Sequence, residues 1–78
     1  MVIEIFGKVL REMRDENQIS QEKLAEYCDL DRTYISLLER GLRQPTITTI
    51  FKLAKALNIS PSTLIEKVEH QIETPPVY

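Results

Sequence analysis

Arg32, Thr33, Ser36, Leu37 and Arg40 fall on one side of a helix when residues 32–40 are wound at 3.6 residues per turn. That side carries two guanidinium groups, two hydroxyls and one branched apolar side chain. Such a set suits the base edges of DNA. A guanidinium can donate to O6 and N7 of guanine, a hydroxyl can serve several bases, and Leu37 can meet a thymine methyl. Gln21, Arg40, Arg43 and a helix start at 46–49, headed by Thr46, offer groups to the flanking phosphates. The chemistry expected is recognition, not bond-making.

Other chemistries find little support. Cys28 and His70 are the single cysteine and histidine, 42 positions apart, with Cys28 at an inward position and His70 in an acidic, polar stretch. They make a poor nucleophile pair. Glu66, Glu69 and Glu73 read as a solvated face, and no Gly-rich phosphate loop is present. No catalytic residue, metal or cofactor is expected, and the chain does not read as an enzyme. One cysteine cannot form an internal disulfide, which fits a reducing cytoplasm. No apolar run approaches the roughly 18–20 residues that span a bilayer. The opening MVIEIF carries Glu4 and no basic start, so it does not read as a signal peptide.

The net charge of −2 does not by itself favour a polyanionic partner, but its distribution is uneven. Residues 31–55 hold five basic side chains (Arg32, Arg40, Arg43, Lys52, Lys55) against two acidic ones, while the segments on either side are net acidic. Binding follows the local patch more than the total.

Five helices must position these groups. Phe6, Val9, Leu10 and Met13 give residues 3–16 an apolar stripe, with Asn17 expected as its left-handed stop. Ser20 caps a short second helix ending at Tyr27 or Cys28, and Asp29 suits the turn that follows. Asp31 caps the third, whose Ile35 and Leu38 face inward and whose end is Gly41. After a loop at 42–45, Thr46 caps a fourth, with Ile47, Ile50, Phe51, Ala54 and Leu57 expected as its inner stripe and Asn58 as its stop. Ser60-Pro61 opens a fifth, whose stripe runs Leu64, Ile65, Val68, Ile72. The expected fold is one all-α domain over 1–73, with 74–78 a flexible tail.

At 78 residues one small domain is expected. Gln21-Glu22-Lys23-Leu24-Ala25, Leu30, Ile35-Ser36 and Leu38-Glu39-Arg40-Gly41 together resemble the lambda-repressor-like (Cro/C1, XRE-type) helix-turn-helix family. The segment 30–36, LDRTYIS, followed by Glu39-Arg40-Gly41 and Arg43, resembles the controller proteins of restriction-modification systems. The resemblance implies a five-helix fold with the helix-turn-helix at helices 2 and 3. It implies a homodimeric transcriptional regulator, repressor or activator, on a palindromic operator in double-stranded DNA. It implies that Arg32, Thr33, Tyr34 and Ser36 approach bases, that Gln21 and Thr49 hold phosphates, and that Arg43 reaches DNA from the loop. Arg14 and Glu39 match a structural ion pair of several relatives. Two positions depart from the family pattern, which commonly has Gly where this chain has Gln18 and Asp29.

The stripe Leu64, Ile65, Val68, Ile72 exceeds what a lone small domain needs, so a dimer interface is expected there. A different class of function stays open: an antitoxin or coactivator-type module that binds a partner protein and touches DNA weakly.

Overall fold

The free N–H groups of a helix's first turn need acceptors, and this sequence supplies a side chain for them at four places. The computed structural model describes residues 1–73, with helices α1 (Val2–Glu16), α2 (Gln21–Cys28), α3 (Arg32–Glu39), α4 (Ile47–Ala56) and α5 (Pro61–Glu73). Ser20 Oγ accepts from the Lys23 N–H at 3.0 Å, and Asp31 Oδ1 from the Thr33 N–H at 3.2 Å. Thr46 Oγ1 accepts from Thr49 and Ser60 Oγ from Thr63, both at 3.1 Å. No strand occurs among the described residues. The tail expected at 74–78 lies outside them.

α1 to α4 close alike. The backbone N–H two residues past the last turn reaches back across it: Ile19 to Arg14, Leu30 to Ala25, Leu42 to Leu37 and Ile59 to Ala54. The residue before each of these is left-handed, with φ of 57° at Gln18, 56° at Asp29, 71° at Gly41 and 62° at Asn58. One expectation is corrected. Asn17 stays right-handed at φ −86°, its side-chain Nδ2 donating to the Met13 carbonyl at 2.8 Å. Gln18 takes the left-handed position because the chain needs it one residue later, where Ile19 can turn inward and pack against the core.

α1 packs on α3 and α5, α2 on α3 and α4, and α4 on α5. Leu10, Leu24, Ile35, Leu38, Leu53, Leu57 and Leu64 are fully buried between them. Gly7 sits where α1 crosses the end of α3. A Cβ there would collide with the Leu38 carbonyl oxygen and lie 2.7 Å from that of Glu39. The close crossing therefore depends on glycine.

Two expected stripes are also corrected. In α4 the inward residues are Leu53, Ala54 and Leu57, with Thr49, whereas Ile47 and Phe51 are 73% and 59% exposed. Apolar residues cover a broad arc of this helix, and Leu53, left out of the expected stripe, is fully buried in the core. In α5, Leu64 and Val68 are buried within the single chain and add little to any surface offered to a second copy. Ile65 and Ile72 remain partly exposed.

Candidate nucleic-acid interface

The turn between α2 and α3 sets how α3 is presented. Asp29 supplies the left-handed residue, Leu30 packs against the core and Asp31 caps α3. Ile35 and Leu38, both fully buried, hold the inner side of α3. The opposite side is then open to solvent at its start: Arg32 and Thr33 are exposed, Ser36 and Leu37 half-buried, and Arg40 exposed at the far end. Tyr34 is half-buried and packs against the core cluster, at the margin of this surface.

A buried charge network braces the other end of α3. Arg14 Nε donates to Glu39 Oε2 at 2.7 Å, and Arg14 Nη2 to Glu39 Oε1 at 3.1 Å. The Glu39 side chain is 4% exposed and that of Arg14 12%. Gln21 Nε2 donates to Glu39 Oε1 at 2.9 Å, and Arg14 Nη1 to the Ile19 carbonyl at 2.9 Å. The hydrogen bonds that Arg14 donates to Glu39 raise the Arg14 pKa, outweighing the opposing effect of burial. One carboxylate thus ties α1, the start of α2 and the end of α3 together. Breaking such a pair from one side costs about 3–5 kcal/mol, because a buried charge is left alone.

The flank comes from the loop and from α4. Arg43, Gln44, Thr46 and Thr48 are exposed. Among the described residues, no ion pair holds Arg32, Arg40 or Arg43. Thr49 is corrected as a side-chain phosphate ligand: it is buried, and its hydroxyl lies 3.0 Å from that of Thr46. Its backbone N–H goes to the Thr46 cap, so that residue helps shape the helix start and offers nothing outward. Cys28 is buried, its Sγ 3.6 Å from the Lys52 carbonyl, and burial pushes its thiol pKa up. Neither change makes a nucleophile.

Sequence reasoning missed three features. Gly7 carried a signal, since an isolated glycine inside an amphipathic helix implies close approach. The contact of Gln21 with Glu39 carried none, because 18 positions separate them. The third is the outward placement of Ile47, Phe51 and Val2, which extend the apolar face already expected at Ile65 and Ile72, all five partly or largely exposed. One groove of about 560 Å³ on it runs between α1, α4 and α5, past Phe6, Ile50 and Ile65.

Comparison with known proteins gives a consistent result. Residues 10–64 match the family model described as helix-turn-helix. Control protein C.BamHI of Bacillus amyloliquefaciens is 46% identical over 63 residues, which cover 80% of this chain and 78% of that protein. The crystal structure of the restriction-modification controller protein C.AhdI from Aeromonas hydrophila matches with a TM-score of 0.77 at 45% identity, covering 80% of this chain and 94% of that one. The controller protein C.Esp1396I, solved as a tetramer on its natural 35 base-pair operator, matches with a TM-score of 0.85 at 33% identity over 92% of this chain and 95% of that one.

Proposed function

This chain belongs to the helix-turn-helix family, among the control proteins of restriction-modification systems, and on that premise we propose that it is a transcriptional regulator that binds an operator in double-stranded DNA as a homodimer. The observation that carries the reading is the outer side of α3, where exposed Arg32, with no ion pair among the described residues, and exposed Thr33 lie opposite a buried inner side.

Each part has a physical role. α3 enters the major groove by its first turn, where Arg32 reads guanine and Thr33 and Ser36 hydrogen-bond to neighbouring bases. Tyr34 and Leu37, at the half-buried margin, make apolar contact with bases. Gln21, Arg40, Arg43 and the start of α4 with Thr46 hold phosphates on either side, fixing register without reading sequence. The Arg14–Glu39 pair is structural: it holds α1 against α3 and stays out of base reading. All of these roles are binding roles, and the protein acts as a binder and not as an enzyme. Its place of work is the cytoplasm, where its DNA lies, and no helix among the described residues could cross a membrane.

One such unit reads too few bases to find a site alone. The apolar face of Ile47, Phe51, Ile65 and Ile72 is where a second copy docks. Two-fold symmetry then sets two α3 helices about 34 Å apart, one turn of DNA, and the operator is a palindrome. A protein-interaction module would also expose an apolar face, yet it would have no use for exposed Arg32 and Arg40 at the two ends of the outer side of α3.

Selection of bound duplexes from a random-sequence pool tests this. The expected product is an inverted repeat with half-site centres about 10 base pairs apart, bound at least about 10³-fold more tightly than unselected DNA. Recovery of no common sequence, with strong binding at low salt only, would overturn operator recognition.

A further inference from the structure

The Gln21 amide faces a carboxylate. Glu39 is acceptor-only when ionised, and the bidentate Arg14 guanidinium beside it holds that charge in place. A Gln side chain can meet such a group only through its nitrogen, as the 2.9 Å contact from Nε2 to Glu39 Oε1 shows. The amide is therefore not free to turn over. An Nε2 group carries two N–H donors, and Glu39 takes one. The other is not taken by Glu39, and Gln21 is half-buried at the first position of α2, next to the Ser20 cap.

A phosphate oxygen can accept a hydrogen bond and has none to give. A phosphate that met Oε1 of Gln21 would be repelled, and one that met the second N–H of the same Nε2 that Glu39 holds would be bound. We propose that Glu39 is a positioning residue for DNA binding: it never touches DNA, but it fixes which end of the Gln21 amide a phosphate meets. The Arg14–Glu39–Gln21 chain is then a relay from the buried brace to the DNA backbone. This rests on the DNA reading above.

The relay differs from a merely structural brace. A brace would act on the stability of the fold and weaken DNA binding independently of Gln21. A relay makes the two side chains act as one unit in binding.

The test is a double-mutant cycle on one mixed-sequence 24 base-pair duplex at fixed low salt, with Gln21→Ala, Glu39→Gln and the double variant, each checked as folded by thermal denaturation. Gln21→Ala is expected to weaken binding about tenfold, the loss of one hydrogen bond to a charged group. Glu39→Gln is expected to do nearly the same, and the double variant to lose no more than either. Full multiplication of the two losses would overturn the relay while leaving DNA binding intact. No binding by the unsubstituted protein would overturn the DNA reading and the relay with it. If Glu39→Gln fails to fold, the side-chain amide resonances of Gln21 in the unsubstituted protein decide the matter. One of its two protons should be protected from exchange before DNA is added, and the other should shift when the duplex binds. Two equivalent, rapidly exchanging protons, or an unmoved pair on binding, would overturn the proposal.

Discussion

At the scale of single residues, the arginines divide by what surrounds them. Arg14 is spent on Glu39 and the Ile19 carbonyl, whereas Arg32, Arg40 and Arg43 have no carboxylate partner among the described residues. Arg43 sits on the loop before α4, away from the α3 turn that faces bases, so its effect should not depend on sequence. Arg43→Ala is expected to weaken binding to operator and random duplexes alike and to lower the slope of log affinity against log salt by about one. Filter binding across a salt series measures both. The residue types alone made this surface legible, because only one side of 32–40 gathers arginines and hydroxyls. The role of Gln21 was half legible. Its place at the start of α2 pointed to a phosphate, while its bond to Glu39 needed the fold to bring positions 21 and 39 together.

At the scale of elements, caps and stops reported themselves in the sequence, because the side chains that satisfy free backbone groups are few. Ser20, Asp31, Thr46 and Ser60 all accept from a first-turn N–H as their types imply. The end of α1 is the exception, since neither Asn17 nor Gln18 is a glycine and the register decides between them. Gln18 is exposed and left-handed, a conformation that costs an L residue roughly 1–2 kcal/mol. Glycine would remove that strain while adding some entropy to the unfolded chain. Gln18→Gly is therefore expected to stabilise the protein by about 0.5–1 kcal/mol, raising the melting temperature by roughly 3–6 °C by circular dichroism. The α4 stripe was misjudged for another reason. Ile47, Ile50, Phe51, Leu53, Ala54 and Leu57 form a broad apolar arc opposite Thr48, Lys52 and Lys55, and periodicity cannot say which part of that arc faces its own core.

At the scale of the whole molecule, that same surplus is what a second copy would cover. A single chain leaves Phe51 and Ile47 largely in solvent, close to Ile65 on α5. Contiguous apolar surface of this kind marks an interaction site more often than chance exposure does. Because Phe51 is 59% exposed in one chain, Phe51→Asp should leave the fold within about 0.5 kcal/mol of its stability. It should shift the dimer to monomer in sedimentation velocity and sharply weaken operator binding, since each half-site then binds alone. Unchanged sedimentation would place the interface elsewhere. The amphipathic stripe of α5 pointed to a surface for a second copy but included Leu64 and Val68, which α1 and α4 already cover. Sequence shows how much apolar surface there is, and only the packing shows how much is left over.

The central claim is that the exposed start of α3 reads bases. The most direct measurement titrates a selected inverted-repeat duplex and a scrambled duplex of equal length with the protein and with Arg32→Ala, at two salt concentrations. Loss of the Arg32 guanidinium should cost about 1–3 kcal/mol per half-site on the inverted repeat and far less on the scrambled duplex, narrowing the preference between them. Equal losses on both duplexes would contradict the account, because Arg32 would then be holding phosphate and the sequence would be read elsewhere.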